Sequence, residues 1–202
     1  MSFYRGCWWI AYGLFRFLFR LRVQGVEHIP AEGGLIVASN HCSYVDPLLI
    51  GVATFRELSY VTKREVFGVP LLGWLLRNLN AIPIDRSRGD RSALVAVEDR
   101  LKAGGGLFLF PEGTRNKTGR FLDPKPGIGR MASRASVPIV PAYVSGTVNV
   151  WTSLIGLSEV VVRFGEPIRH RFCEDEKNRR ETYRTISREV MCRIVALKAL
   201  RR

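Results

Sequence analysis

The sequence predicts a single α/β domain with a mostly parallel central sheet of about seven strands flanked by helices. Three observations predict it. Short apolar runs alternate with helical patterns along the chain, which is the order that buries a parallel sheet between layers of helices. Each run is only four to eight residues long and rich in Val, Ile, Leu or Phe, as strands covered on both faces are. The length of 202 residues suits one folding unit with a substantial core, and no interdomain linker, internal repeat or low-complexity stretch divides it.

Taken in order, the strands are expected at Leu35–Ser39, Leu58–Thr62, Ala81–Asp85, Leu107–Phe110, Val137–Val144 and Val160–Phe164, with Arg22–Val26 as an additional one. Helices fill the gaps at Pro47–Phe55, Val66–Asn78, Arg91–Ala103, Ile128–Ser136 and Lys177–Ala199. Pro83 removes a ladder donor, so the strand that carries it should be an edge. Gly104-Gly105-Gly106 reads as a turn from helix to strand, since no Gly-Lys-Ser/Thr follows to make a nucleotide-binding loop. Val66–Leu79 is apolar on most sides but interrupted by Gly68, Pro70 and Gly73. It suits either a fully buried helix or an apolar wall for a ligand chain.

Residues 1–22 stand apart from this pattern. They contain basic residues and no acids, and Arg16 and Arg20 make a membrane crossing costly. On a helical wheel Arg5, Trp9, Tyr12, Arg16 and Arg20 share a stripe, while Trp8, Ile10, Leu14, Phe15, Phe17, Leu18 and Phe19 cover the remainder. The expectation is an amphipathic helix lying in a membrane interface, arginines at the headgroups and aromatic rings at the acyl boundary. A signal peptide would show a small-residue cleavage site, which does not follow here. The chain therefore divides into an interfacial helix, 1–22, and a folded domain, 23–202.

Charge points to the same kind of partner. A formal net charge of +13 and a pI near 10.3 imply a polyanion or an anionic surface. Hydrophobic content of 47% is ordinary to slightly high. The four cysteines (Cys7, Cys42, Cys173, Cys192) and three histidines (His28, His41, His170) are scattered, which excludes a disulfide framework and a metal-ligand cluster. Reduced thiols in a cytosolic setting follow.

The stretch Asn40-His41-Cys42-Ser43-Tyr44-Val45-Asp46-Pro47 carries the chemistry. An imidazole serves as a general base when a carboxylate fixes its tautomer and orientation by accepting the other ring N–H. On one continuous helix a spacing of five would separate His41 and Asp46 by about 140°. Pro47 forces a turn and suits the first position of a helix, which makes Asp46 an N-cap. Asp46 would then accept a backbone N–H with one oxygen and the imidazole N–H with the other. Cys42, beside His41, reads as a small buried residue rather than a nucleophile.

A second block, Phe110-Pro111-Glu112-Gly113-Thr114-Arg115-Asn116, follows a strand at the carboxyl edge, where sites form in parallel sheets. Gly113 allows close approach of backbone to ligand, Arg115 can hold a phosphate bidentately, and Glu112 can position hydroxyls or Arg115. Ala81-Ile82-Pro83-Ile84-Asp85-Arg86 likewise ends a strand in an acid and an arginine.

These blocks, in this order, resemble the glycerophospholipid acyltransferase family, which includes the 1-acyl-sn-glycerol-3-phosphate acyltransferases. The resemblance runs from about residue 20 to 170. It rests on Asn40 to Asp46, matching the family's His-(x)4-Asp signature, on Gly73-Trp74 through Ile84-Asp85-Arg86, on Phe110 to Arg115, on Lys125-Pro126-Gly127 and on Val137-Pro138-Ile139-Val140-Pro141. It implies transfer of a fatty acyl group from acyl-CoA or acyl-ACP to the sn-2 hydroxyl of lysophosphatidic acid, giving phosphatidic acid for phospholipid synthesis. His41 and Asp46 would be catalytic, and Arg86, Arg115 and Lys63 would bind the substrate phosphate. Glu112, Gly113 and Thr114 would position the acceptor, with no metal and no cofactor beyond the acyl donor.

Anionic membrane lipids complete the partners, nucleic acid is not among them, and the place of action is peripheral or monotopic on the cytoplasmic face of the membrane. Two alternatives stay open: another lysolipid or glycerol 3-phosphate as acceptor, and a noncatalytic basic protein that binds membranes or nucleic acid.

Overall fold

The computed structural model describes residues 3–85, 90–116, 118, 120–148, 152, 159–170 and 179–200. Seven strands form one sheet: β1 (Arg22–Gln24), β2 (Leu35–Ser39), β3 (Leu58–Lys63), β4 (Ala81–Ile84), β5 (Gly106–Leu109), β6 (Ile139–Ser145) and β7 (Val161–Phe164). Their spatial order is β1-β7-β6-β2-β5-β3-β4, and every neighbouring pair is parallel except β6 with β7. The fold class read from the sequence is therefore observed, with strand boundaries within two residues of those expected. β4 is an edge strand, as expected from Pro83; it pairs with β3 alone.

Among the described residues six α-helices surround the sheet: α1 (Phe3–Leu18), α2 (Asp46–Ala53), α3 (Pro70–Asn78), α4 (Arg91–Lys102), α5 (Gly127–Ala135) and α6 (Arg179–Ala199). Short 3₁₀ turns lie at Val26–His28 and Arg64–Gly68. The helical pattern expected from Val66 thus begins as a 3₁₀ turn and becomes α-helix only at Pro70, where the ring suits the first turn.

All five β2 residues are buried, because both sheet faces are covered. Leu35 and Val37 point into one core with Phe15 of α1 and Leu49, Ile50 and Val52 of α2. Ile36 and Ala38 point into the other, with Val97 and Leu101 of α4, Ile128 and Met131 of α5, and Ile186, Val190 and Ile194 of α6. The two-residue strand period thus sorts α1 and α2 to one face and α4, α5 and α6 to the other. On the second face α5 and α6 cross closely at Gly129. A Cβ there would come within 2.2 Å of the Tyr183 carbonyl oxygen, so no larger residue fits without displacing backbone.

α1 is docked rather than free. The Trp8 indole N–H donates to the Gly51 carbonyl at 3.1 Å, the Tyr4 hydroxyl accepts from the Leu58 amide at 3.1 Å, and Trp8 stacks on Tyr12. Its outer side stays apolar and uncovered: Ile10 is 76% and Phe17 85% exposed. α3 continues this surface, with Leu71 79% and Trp74 50% exposed and the Trp74 ring meeting Phe3 edge-on at 5.1 Å. The reading of this segment as a fully buried helix is corrected; within α3 only Gly73 is buried. Among the described residues, no helix is long and apolar enough to cross a membrane.

Candidate active site

The site grows from the carboxyl ends of β2 and β5, which lie side by side with Ala38 opposite Leu109. Beyond Ser39 the main chain leaves the sheet, but the side chain of the next residue continues the pairing. Asn40 Nδ2 donates to the Val144 carbonyl at 2.9 Å, and its Oδ1 accepts the Val144 amide at 2.8 Å. This buried amide stands in for one more ladder residue and fixes where the following loop departs. The loop after β5 is stitched to it by the Asn116 amide, which donates to the His41 carbonyl at 2.7 Å.

Between these anchors His41 is held from two sides. Its ring stacks on Phe110, centroids 3.6 Å apart and planes 11° from parallel. Its Nδ1 lies 3.0 Å from Asp46 Oδ2. The same Oδ2 accepts the amides of Cys42 at 2.6 Å and Ser43 at 2.7 Å. An oxygen that receives two backbone N–H groups is an acceptor toward the ring as well. Nδ1 therefore carries the proton, and Nε2 keeps its lone pair for a substrate.

This differs from the capping geometry expected for Asp46. Asp46 is itself the first residue of α2, preceded by Val45, and its carboxylate folds back onto the loop instead of forward onto the helix. All three donors share one oxygen, and the other, also buried, has no hydrogen-bond partner among the described residues. The physical reason is the tightness of the return: a five-residue loop brings its own amides over the carboxylate. The result is a stiffer placement of the imidazole than a shared cap would give.

Cys42 does not compete for the nucleophile's role. Burial pushes its thiol above the usual range, the opposite of what an activated thiolate needs, although the Asn40 amide donates to its sulfur at 3.4 Å. The described cysteines Cys7, Cys42 and Cys192 are free. Among the described residues no three His, Cys, Asp or Glu side chains gather as a metal site.

The second block wraps the other side. Glu112 is buried and accepts the Leu122 amide at 3.1 Å, so it pins the far end of its own loop; no contact to Arg115 is seen. Gly113 has φ +69, and a Cβ on it would lie 2.8 Å from Cδ of Lys125, whose side chain covers that turn. Thr114 is exposed. Arg115 reaches back to the histidine loop, its guanidinium 3.4 Å above the Tyr44 ring and one N–H donating to the Tyr44 hydroxyl at 2.6 Å.

Lys63, last residue of β3, is exposed at the same carboxyl edge, paired with Ile84. Arg86 lies outside the described residues. Behind the loops is a concavity of about 190 Å³ lined by Asn40, Cys42, Glu112, Asn116, Tyr143 and Lys198 among others.

Sequence reasoning did not single out Asn40, Tyr44 or Asn116 for a role. Asn40 alone left a trace, as a polar residue at the end of an otherwise apolar strand.

A family model described as Acyltransferase matches residues 20–145, well over half of the chain. The chain belongs to the Acyltransferase family. The span matched to the Acyltransferase model contains His41, Asp46, Lys63, Arg86, Glu112, Gly113, Thr114 and Arg115. The chain is 35% identical over 151 residues to the 1-acyl-sn-glycerol-3-phosphate acyltransferase of Pseudomonas aeruginosa, covering 71% of this chain and 58% of that protein. It is 29% identical over 149 residues to the enzyme of the same name from Bacillus subtilis, covering 73% of each. It is 28% identical over 142 residues to a chloroplastic 1-acyl-sn-glycerol-3-phosphate acyltransferase of Arabidopsis thaliana, covering 69% of this chain but only 39% of that one. The crystal structure of the 1-acyl-sn-glycerophosphate acyltransferase PlsC from Thermotoga maritima superposes with a TM-score of 0.73 at 26% identity, covering 98% of this chain and 81% of that one. The chain thus shares the fold of the Thermotoga maritima protein over nearly its whole length.

Proposed function

We propose that this protein is a 1-acylglycerol-3-phosphate O-acyltransferase that makes phosphatidic acid at a membrane surface. The observation that carries the reading is the His41–Asp46 pair, which leaves Nε2 as a free base at the carboxyl edge of the sheet. The names of its relatives supply the substrate class.

In this reading His41 Nε2 takes the proton of the sn-2 hydroxyl as the alkoxide oxygen attacks the thioester carbon. A tetrahedral oxyanion forms and collapses, the carbon–sulfur bond breaks, and the departing thiolate recovers the proton from the imidazolium. Asp46 holds the ring through Nδ1 and stabilises its transient positive charge. No acyl-enzyme is needed, consistent with the neutral Cys42. Arg115 offers its guanidinium to the substrate phosphate, with Arg86 and Lys63 as further cations and Glu112, Gly113 and Thr114 shaping the acceptor's surroundings. The acyl group arrives as a thioester of coenzyme A or of acyl carrier protein, with no other cofactor. The uncovered apolar faces of α1 and α3 support seating on anionic lipid from the cytoplasmic side as a peripheral or monotopic protein.

Acyl transfer to lysophosphatidic acid in liposomes, followed for wild type and His41→Ala, tests this. General-base help is worth about 10² to 10⁴ in rate, so the variant should lose at least about a hundredfold in turnover. A His41→Ala protein with near-wild-type turnover would remove His41 as the base, and absence of phosphatidic acid with wild type and both donors would end the reading.

A further inference from the structure

On the sheet face opposite α1 and α2, α5 and the start of α6 enclose a trough of about 620 Å³ lined by five arginines: Arg130, Arg134, Arg179, Arg180 and Arg184. We infer that this trough docks the acidic helical face of acyl carrier protein and so delivers the acyl thioester to His41. The inference rests on the acyltransferase reading above and names the donor that reading leaves open.

Spacing is the first argument. Arg130 and Arg134 lie one turn apart on α5, and Arg180 and Arg184 one turn apart on α6. One-turn neighbours present their charges about 6 Å apart on one side of a helix. The trough is therefore walled by two rows of guanidinium groups at the repeat with which a helix displays carboxylates. A compact phosphate group would be met by donors converging on one point; two separate rows suit an extended acidic face.

Charge is the second. Among the described residues two carboxylates pair with arginines of the trough, Glu98 bonded to Arg134 and Glu181 3.7 Å from Arg184, and Arg179 is engaged as well. Arg130 and Arg180 are exposed and make no ion pair among the described residues. Such an excess on a solvent face favours encounter with an acidic partner.

Position is the third. Pro126 and Gly127, at one end of the trough, directly follow Lys125, the side chain that covers Gly113 in the active-site turn. The trough thus opens beside the carboxyl edge where His41 lies. Its walls belong to α5 and α6, which pack into the core opposite the one shared by α1 and α2. With α1 seated on lipid, the arginines face water, which selects a soluble donor over headgroups.

The test is direct binding, read by fluorescence anisotropy of labelled holo-acyl carrier protein with the full chain in detergent. Saturable binding is expected, weakened about tenfold or more in Arg130→Glu/Arg180→Glu and by added salt. The pair Arg130→Gln/Arg180→Gln serves if charge reversal impairs folding. In turnover assays the variants should lose kcat/KM with acyl-ACP by a similar factor and keep that with acyl-CoA within about twofold. No binding by wild type, equal losses with both donors, or loss of flotation on phosphatidylglycerol vesicles instead of carrier binding would overturn the proposal. Use of acyl-CoA alone by wild type would overturn it while leaving the acyltransferase reading intact.

Discussion

The guanidinium of Arg115 lies 3.4 Å above the ring of Tyr44 and donates to its hydroxyl, although 71 residues separate them. The contact spans the histidine loop and the Phe110-Pro111-Glu112-Gly113 turn, so the cation proposed above to meet a phosphate is aimed by a residue between His41 and Asp46. Removing Arg115 forfeits a charge-assisted contact worth about 1.5 to 3 kcal/mol, and Arg115→Ala should lower kcat/KM for lysophosphatidic acid by about 10- to 100-fold. Tyr44→Ala removes the stack as well as the hydroxyl, and should raise KM by a few-fold with kcat little changed, about what an exposed cation–π contact is worth. Tyr44→Phe should fall between Tyr44→Ala and wild type. A lower KM in Tyr44→Ala would show that the ring holds Arg115 away from the substrate.

Asn40 replaces a ladder residue with its side chain, and its two bonds to Val144 are buried. Asn40→Ala strands an amide and a carbonyl, at about 1 to 3 kcal/mol each. Thermal unfolding should show Tm lower by on the order of 8 °C for a chain of this size. Asn40→Asp should be worse, since it sets a second acceptor against the Val144 carbonyl. Unchanged Tm in both would mean that solvent reaches these groups.

Asp90 caps α4, accepting from the Ser92 hydroxyl and the Ala93 amide, and also takes the Asp85 amide and Arg64. Those bonds, the Ser92 hydroxyl first and the Asp85 and Ala93 amides next, hold its carboxyl well below the usual range. The unfolded chain then binds the proton more tightly than the folded one. The resulting stability is complete above the unfolded carboxyl's range and fades as pH falls below about 4. In urea unfolding, wild type should exceed Asp90→Asn clearly at pH 7 and by less at pH 3.5. A gap that widened toward acid would contradict the assignment.

The outward residues Ile10 and Phe17 lie on α1, which carries none of the proposed site residues. Burying two such side chains in lipid is worth about 3 kcal/mol, so Ile10→Ser/Phe17→Ser should bind phosphatidylglycerol vesicles on the order of a hundredfold more weakly. Turnover on short-chain, water-soluble acceptor should persist. Equal flotation of wild type and variant would place the lipid contact elsewhere.

What the sequence reveals and conceals here follows from range. Leu35–Ser39 announces a doubly covered strand because its burial is written in five consecutive residues, and Pro83 announces an edge because its missing donor is local. The turn joining His41 to Asp46 is legible for the same reason: Pro47 forbids the alternative. Which way the Asp46 carboxylate points is not, because the amides of Cys42 and Ser43 compete with those of α2 only once the loop has closed. Asn40 with Val144, 104 residues away, and Arg115 with Tyr44 are partners that no spacing reveals. α3 shows the limit of periodicity, since a pattern apolar on most sides describes a helix in the core and one left bare at the surface equally well.

The edge position of Pro83 reaches beyond the single chain. β4 closes one side of the sheet, and a strand lacking one N–H presents an interrupted row of donors to any neighbour that would add to it. Gathered on a membrane as proposed above, the protein would be concentrated into two dimensions, where copies meet edge to edge far more often than in solution. An outermost strand that makes a poor template would then let many molecules share one bilayer without zipping their sheets into a common ribbon.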